Sequence, residues 1–350
     1  MVHYIDDYPG REITIQGQKH LYFGGTSYLG LQTDPEFQNI FILNIKKFGT
    51  NYGASRNSNV RLTVYEKAET LLAQITACEA AITLSSGYLA GQIIAQNFNK
   101  PKYKLFYAPN THSALYNSYN KPYPTFVALN NAVKKHISKN NKVIPVVFID
   151  SIDFDGCNYP DFVDLKDLPL DKVILIADDS HGIGIIGNRG EGVFRTLQKF
   201  NTKELIVCCS LGKTYGIQAG AILGDEKRIK QLSETAFFGG ASPASPSSIA
   251  TFIDAQPTYR SKRNQLLLNI GYFEKLVEDI AFFKNIKGHP AFTFKDAQLT
   301  DFLEKKGFIL TNFNYPEESS SLMSRIVLSS HHSASDIRYI SEGINTYRSK

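Results

Sequence analysis

The middle of the chain alternates short apolar runs with stretches in which apolar residues recur every three or four positions. Apolar runs bounded by polar loops are candidate strands, and seven are found: Ala80–Leu84, Lys104–Tyr107, Pro124–Ala128, Val143–Ile149, Lys172–Ala177, Leu205–Cys209 and Gly220–Leu223. Runs that are apolar throughout are typical of strands covered on both faces. Strands that alternate with helices favour a doubly wound sheet. The pattern predicts an α/β domain built on a mainly parallel, seven-stranded sheet.

The two ends of the chain are organised differently. Residues 1–20 are mostly polar, and a short strand and a glycine-rich loop follow. Beyond residue 255 we predict a small α+β unit, made of strands near Ala291–Phe294, Phe308–Asn312 and Ser324–Ser329 and helices near Ala297–Lys306 and Ser335–Tyr347. Ser333 or Ser335 is the expected N-cap of the last helix. We therefore expect a short N-terminal segment (1–20), a large domain (21–255) and a small C-terminal domain (256–350).

Polar and ionisable residues directly follow four of the predicted strands. In doubly wound sheets, ligands bind beyond the carboxyl ends of the strands. The four segments are TLSSGYLA at 83–90, YAPNTHSAL at 107–115, ILIADDSHGIG at 174–184 and VCCSLGKTYGIQAG at 207–220. These segments are the candidates for a ligand site.

The third segment ends a buried strand with a carboxylate, Asp178. A buried carboxylate is costly unless it has a cationic partner, and the protonated ring nitrogen of a pyridine cofactor is such a partner. His181, three residues later, would lie beside that ring. The alternative is a capping aspartate at a strand–turn junction and a surface histidine.

The fourth segment places Lys213 just after a buried strand, among small residues. Poor solvation favours the neutral, nucleophilic form of a lysine amine, and Gly216 and Gly220 leave room for a flat ring. Ser210, three residues earlier, would donate to a phosphate. The alternative is a lysine solvated in an ordinary loop.

The first two segments supply the remaining groups. Ser86, Gly87 and Tyr88 lie where a strand runs into a helix, and the N–H groups of a helix N-terminus suit a phosphate, although Ser-Ser-Gly is also an ordinary strand–helix turn. His112 would stack on an aromatic cofactor; alternatively, Asn110 or Thr111 caps a helix and the histidine faces solvent. Taken together, the four segments predict a pyridoxal-phosphate (PLP) enzyme whose Lys213 holds the cofactor as a Schiff base.

Composition narrows the class of protein. The chain has 350 residues, of which 43% are hydrophobic and 20% charged, so a folded protein of two domains is expected. Its four cysteines form no CxxC pair, so no metal site is predicted. We find no signal peptide and no apolar stretch of membrane-spanning length, which indicates a cytoplasmic enzyme without membrane contact.

The formal net charge of +5 is mild for this length. It would help to attract an anionic substrate such as a CoA ester, but an ordinary basic surface is the favoured explanation. No dense Lys/Arg cluster with interleaved aromatic residues is present, so nucleic-acid binding is not expected.

From about Tyr22 to its C-terminus the chain resembles the α-oxoamine synthase family of fold-type-I PLP enzymes, which includes 8-amino-7-oxononanoate synthase, 2-amino-3-ketobutyrate CoA ligase, serine palmitoyltransferase and 5-aminolevulinate synthase. The most specific stretches are DDSHGIGIIGNRGEG at 178–192 and SLGKTYGIQAGAILG at 210–224. SYLGL at 27–31, the SSGY turn, NTHSAL at 110–115 and RIVLSSHHSASDI at 325–337 also match. The resemblance implies a fold-type-I PLP-dependent transferase, with a large and a small domain.

The resemblance also implies a role for each matching residue. Lys213 corresponds to the Schiff-base lysine, Asp178 to the partner of the pyridinium, His181 to the residue near the phenolic oxygen and His112 to the stacking histidine. Ser86, Gly87, Tyr88 and Ser210 match the phosphate site, with Ser210 in place of the usual threonine. Arg325 matches the arginine that binds the amino-acid carboxylate.

Three positions depart from the family pattern. Asp153, in FIDSIDFDG, replaces a serine of the usual ESxFSMDG motif near the phenolic side of the cofactor. Thr26 stands where relatives often have asparagine in the loop that ends YLGL, and we assign it with Asp153 and Arg325 to the substrate site. Gly240 stands where a threonine of the partner subunit usually contacts the phosphate.

The activity that the resemblance implies is condensation of an amino acid with an acyl-CoA, with loss of CO₂, to an α-amino ketone. A reaction like that of 8-amino-7-oxononanoate synthase, which joins alanine to a pimeloyl thioester, is favoured. Relatives are homodimers with the site at the interface, and Gly49–Asn59 is a candidate loop for that interface. The alternatives are an aminotransferase or another amino-acid enzyme of the same fold, which would use Lys213, Asp178 and Arg325 equally well, or a non-catalytic protein that keeps the fold.

Overall fold

The computed structural model describes residues 2–116, 121–139, 142–154, 158–315, 318 and 322–349. The strands are β1 (Glu12–Ile15), β2 (Gln18–Phe23), β3 (Ala80–Leu84), β4 (Tyr103–Tyr107), β5 (Ile144–Asp150), β6 (Ile174–Asp178), β7 (Glu204–Ser210), β8 (Gly220–Gly224), β9 (Lys284–Asn285), β10 (Ala291–Phe294), β11 (Phe308–Asn314) and β12 (Leu322–Val327). The α-helices are α1 (Pro35–Phe48), α2 (Thr63–Thr76), α3 (Gly87–Phe98), α4 (Phe126–Lys139), α5 (Phe194–Gln198), α6 (Glu226–Ser233), α7 (Ala236–Gly240), α8 (Pro246–Asp254), α9 (Gln256–Leu276), α10 (Ala297–Lys305) and α11 (Ala334–Arg348).

The chain divides into two compact units. The central unit comprises Ile40–Asp153 and Cys157–Gln256, and the terminal unit comprises Met1–Asn39, Phe154–Gly156 and Pro257–Lys350. We expected residues 21–39 in the large domain, but they belong to the terminal unit. The reason is strand pairing: β2 lies parallel to β11, with Leu21 opposite Phe308.

The central unit is built on a mainly parallel sheet, as predicted. Its strand order is β3-β8-β7-β6-β5-β4, in which β4 to β7 run parallel and β8 is antiparallel to both of its neighbours. A buried cluster that includes Ile93 and Ile94 of α3, Phe148 of β5 and Ile176 of β6 covers one face. Because β5 and β6 are parallel and in register, Asp150 lies opposite Asp178 at their carboxyl ends.

The sheet has six strands among the described residues and not the seven predicted, because Pro124–Ala128 is not a strand. Helix α4 begins at Phe126 within that run. The Thr125 hydroxyl accepts a hydrogen bond from the Ala128 N–H (3.1 Å), as an N-cap does. Phe126, Leu129 and Val133 are buried at helical spacing. A short apolar run does not by itself distinguish a strand from a buried helix.

The terminal unit has the α+β composition predicted for the C-terminal part of the chain. Its sheet has the order β1-β2-β11-β12-β10-β9, and only the β2–β11 pairing is parallel. Ser333 caps α11 in a reciprocal arrangement with Asp336, so Ser333 and not Ser335 is the cap. Within the described part of the chain, no helix combines the length and hydropathy that crossing a membrane requires.

Candidate active site

Two carboxylates mark the carboxyl ends of adjacent central strands. Asp178 ends β6 and is only 9% exposed, and its Oδ1 accepts a hydrogen bond from the Ser180 N–H (2.8 Å). Asp150 ends β5 beside it. Burial raises the pKa of Asp150 well above its usual range, and the neighbouring Asp178 carboxylate adds to that rise. This edge of the sheet therefore brings two carboxyl groups together, and a cationic ligand group here would be stabilised by them.

His112 is tied to this pair through its backbone. Its N–H donates to Asp150 Oδ1 (3.0 Å), and its ring Nδ1 accepts from the Ala114 N–H (3.1 Å). His112 is thus itself the cap of the short turn that follows, and neither Asn110 nor Thr111 has that role. Burial lowers the pKa of His112; the Asp178 carboxylate opposes that shift and the Lys213 ammonium adds to it. With Nδ1 engaged as an acceptor, the proton of the neutral ring lies on Nε2.

Lys213 lies in the loop that connects the antiparallel strands β7 and β8. A backbone hydrogen bond from Leu211 N to Ala219 O (2.9 Å) joins the two ends of this loop. The Nζ of Lys213 is 2.8 Å from Nε2 of His181, which belongs to the turn after β6. Lys213 and His181 are therefore directly paired, although 32 positions separate them in the sequence. The alternative in which His181 is a surface histidine does not account for this contact.

The proposed phosphate turn has no room for side chains at its glycines. The Ser86 hydroxyl caps α3 by accepting from the Leu89 N–H (3.1 Å). A Cβ on Gly87 would lie 2.7 Å from the Cα of Ser210, and a Cβ on Gly220 would lie 2.2 Å from the Ser86 carbonyl oxygen. The start of α3 is thus pressed against the end of β7. The side chain of Tyr88 is 55% exposed.

Two further aspartates accompany the site. Asp153 is buried, and its charge contributes to the raised pKa of Asp150. Asp179 is also buried: it accepts hydrogen bonds from the Ser151 hydroxyl (2.6 Å) and the Val193 N–H (3.0 Å). Burial raises the pKa of Asp179 to about 7. The hydrogen bonds of Asp179 therefore stabilise the turn after β6, whereas Asp178 is the last residue of the strand.

The two remaining candidates lie in the terminal unit. Arg325 is in the middle of β12, opposite Thr293 of β10 and Thr311 of β11. It lines a cavity of about 80 Å³ together with Thr26 and Phe154. Nine of the predicted site residues thus lie in the central unit. The other two, Arg325 and Thr26, line one cavity in the terminal unit.

Known proteins with similar sequences and folds belong to one family. No protein-family model matches this chain. Serine palmitoyltransferase of Bacteriovorax stolpii is 24% identical to it over 328 residues, covering 88% of this chain and 77% of the relative. The 8-amino-7-oxononanoate synthase of Lysinibacillus sphaericus is 27% identical over 286 residues, covering 77% and 72%.

A solved structure has the same fold. Serine palmitoyltransferase from S. paucimobilis, with a bound PLP–myriocin aldimine, superposes with a TM-score of 0.80 at 17% identity and covers 99% of this chain and 91% of that one. Its homologues are members of the α-oxoamine synthase family, which the motifs of the chain resemble. The fold-type-I architecture that the resemblance implied is confirmed.

The site has two neighbours, Asp150 and Phe154, that we did not predict from the sequence. Asp150 was missed because the predicted strand ended one residue earlier, although a carboxylate after an apolar run was the signal that identified Asp178. Phe154, beside Arg325, lies in the FIDSIDFDG stretch, where only Asp153 was singled out. Its φ of +57° is not visible in the sequence.

Proposed function

We propose that this chain is a PLP-dependent acyltransferase that condenses an amino acid with an acyl-CoA, releases CO₂ and forms an α-amino ketone. The observation that carries the proposal is the pairing of Lys213 with His181 beside Asp178 and His112, at the carboxyl ends of β6 and β7. The relatives named serine palmitoyltransferase and 8-amino-7-oxononanoate synthase support this reaction class. Among its members, we favour an activity like that of 8-amino-7-oxononanoate synthase, with alanine and a pimeloyl thioester.

The residues present fit PLP. The first N–H groups of α3, at Gly87 and Tyr88, point out of a capped helix start and suit a phosphate. Ser210 lies against that start through its backbone and Cβ, and its hydroxyl accepts from the Gly212 N–H (3.2 Å). The carboxylate of Asp178 is the group that would accept a hydrogen bond from a protonated ring nitrogen, and Lys213 supplies the amine for covalent attachment. When bound, PLP supplies an electron sink for negative charge at the α-carbon of an amino acid.

Each residue of the chain has a role that its surroundings favour. Lys213, freed from the cofactor, is placed to remove the α-proton, and its contact with His181 holds the amine in position. His112, whose neutral ring carries its proton on Nε2, presents a donor to the cofactor or to a developing oxyanion. Arg325 would hold the carboxylate of the amino acid through its planar guanidinium. Thr26 and Asp153 would border the substrate.

We further propose that the enzyme works as a homodimer whose interface includes the Gly49–Asn59 loop. Ile42 and Leu43 of α1, which precedes the loop, and Val60, which follows it, are aliphatic side chains exposed by 49%, 65% and 65%. Leu43→Glu should shift the mass measured by light scattering from dimer to monomer. An unchanged dimer would exclude this surface from the interface.

The attachment of the cofactor tests the proposal directly. Purified protein is incubated with PLP, reduced with borohydride, digested and analysed by mass spectrometry. We expect the adduct on Lys213, no adduct at this position in Lys213→Ala, and an unchanged adduct in Lys203→Ala, which alters an exposed lysine near the start of β7. Folded wild-type protein without an adduct at Lys213 would refute the proposed function.

The reaction itself is tested by mixing the holoenzyme with amino acids and acyl-CoAs. Free thiol and CO₂ should appear together, with alanine and pimeloyl-CoA as the first pair to try. Amino-group transfer without thiol release would favour the aminotransferase alternative instead.

A further inference from the structure

Arg325 is stacked on an aromatic ring. Its guanidinium carbon lies 3.6 Å from the ring centroid of Phe154, a distance at which the two planar groups are in contact. Both residues belong to the terminal unit, yet Phe154 comes from a three-residue segment far from the rest of that unit in sequence. The contact therefore depends on how the chain places Phe154.

Phe154 is fixed on its other side by a fully buried histidine. The ring of His289 meets it edge-on, with centroids 5.5 Å apart and planes at 76°, and His289 makes a similar contact with Tyr28 (5.4 Å, 76°). The His289 Nδ1 accepts from the Ala291 N–H (3.2 Å), which orients the imidazole. Arg325, Phe154, His289 and Tyr28 thus form a continuous row of packed rings and guanidinium.

The backbone at Phe154 is in an uncommon conformation. Its φ is +57°, in the left-handed region that bulky residues rarely adopt. Such a conformation is strained and persists only where the surroundings stabilise it. In this structure the ring so placed contacts the Arg325 guanidinium.

The cavity beside this stack is small. Its volume is about 80 Å³, and it is lined by Thr26, Phe154, Met323 and Arg325 among others. Arg325 and Phe154 thus border the same cavity.

We propose that Phe154 is a positioning residue that fixes the plane of the Arg325 guanidinium for the α-carboxylate of the amino-acid substrate. The inference rests on the proposed function and concerns the same site. Stacking on the Phe154 ring fixes the plane of the guanidinium, and a guanidinium binds the two oxygens of a carboxylate in its own plane. A guanidinium already held in that plane loses less conformational freedom when the carboxylate binds.

Ligand affinity tests the proposal. The change in absorbance of the PLP-loaded enzyme gives Kd for L-alanine and for ethylamine, which is the same molecule without its carboxylate. Phe154→Leu should weaken L-alanine binding about tenfold, or about 1.4 kcal/mol, and leave ethylamine binding unchanged. Phe154→Tyr, which keeps the ring, should bind both within about twofold of wild type. Equal losses for both ligands, or no loss for L-alanine, would overturn the proposal.

A second measurement does not depend on catalysis. In ¹⁵N-labelled protein, the Nε–H signal of Arg325, assigned by its loss in Arg325→Lys, should show slow internal motion in wild type and Phe154→Tyr and fast motion in Phe154→Leu. If the Leu variant keeps the guanidinium equally ordered, Phe154 does not position it, whatever the enzyme does with amino acids. A wild-type enzyme that gives this ordered signal but responds to no amino acid would instead contradict the proposed function.

Discussion

The Nζ of Lys213 lies 2.8 Å from the Nε2 of His181, and this contact joins the turns that follow β7 and β6. The pair places a nucleophilic amine and an imidazole side by side at the carboxyl ends of the central strands. Because each side chain comes from a different turn, the contact depends on the register of the two strands, in which Asp178 faces Cys208.

Loss of the imidazole should weaken catalysis without unfolding the protein. A hydrogen bond to a charged group contributes about 1.5–3 kcal/mol, so His181→Leu should lower kcat/KM for thiol release by roughly 10- to 100-fold. His181→Gln keeps a polar group at the same position and should lose less. Melting temperatures of the two variants serve as the control, and a Leu variant with wild-type kinetics would contradict a role for this contact.

Replacing Asp178 by asparagine should change the titration of its neighbour. The Asp178 carboxylate adds to the raised pKa of Asp150, so Asp178→Asn should lower the pKa of Asp150 towards its usual range. Carboxyl ¹³C NMR, with the Asp150 signal assigned by Asp150→Asn, measures this shift.

The same Asp178→Asn substitution should lower kcat about 100-fold or more, because the charged partner of the cofactor is lost. The control is Asp171→Asn at an exposed position, which should alter neither the Asp150 titration nor kcat. An Asp150 signal that titrates identically in both variants would show that the two carboxylates do not interact.

Asp179 should make the protein less stable as the pH rises from about 4 to about 7. In the unfolded chain an aspartate loses its proton near pH 3.9, whereas burial raises the pKa of Asp179 in the folded protein to about 7. Between these values the folded state retains a proton that the unfolded state has released, so the free energy of unfolding falls with pH and levels off above about 7. The difference is on the order of 4 kcal/mol.

Asp179→Asn provides the measurement. Its amide oxygen would still accept from the Val193 N–H, and its amide nitrogen would replace the oxygen that accepts from the Ser151 hydroxyl, so that hydrogen bond would reverse its direction. The melting temperature of the variant should therefore fall less steeply than that of wild type between pH 4 and 7. Parallel curves would show that Asp179 is ionised in the folded protein throughout this range.

A methyl group at Gly220 should disrupt the phosphate turn. It would lie 2.2 Å from the Ser86 carbonyl oxygen and 2.5 Å from the Gly87 nitrogen, so the start of α3 must move. Gly220→Ala should cost about 1–3 kcal/mol of stability and weaken PLP binding. Gly224→Ala, in the same strand, meets its nearest neighbour at 3.6 Å and should change neither quantity appreciably. Equal PLP affinities for the two variants would contradict the assignment of this turn to the phosphate.

The strands that position the site were predictable because they are apolar throughout. Those at Ile174–Asp178 and Glu204–Ser210 are covered on both faces, and the residues that follow them are therefore identifiable from the sequence. The run at Pro124–Ala128 is equally apolar but forms the start of a helix, because the Thr125 hydroxyl caps it. The buried residues of this helix continue at helical spacing beyond the run, and a short apolar run does not by itself distinguish the two structures.

Other features depend on contacts between distant parts of the chain. The sequence does not reveal that β2 pairs with β11, or that Phe154 stacks on Arg325, which is far from it in the sequence. The capping contact of His112 with the Ala114 N–H depends on a ring orientation that no residue pattern specifies. Motifs therefore identified the candidate residues, and the structure was needed to find their neighbours.

The parallel pairing of β2 with β11 has a consequence for biosynthesis. Leu21 to Phe23 meet Phe308 to Leu310, so nearly 290 residues must be translated before β2 finds its partner. At 5–20 residues per second, the nascent β1–β2 hairpin waits on the ribosome for about 15–60 s with that edge unpaired. During that interval the edge of β2 that later pairs with β11 is exposed, while the residues of the central unit are translated.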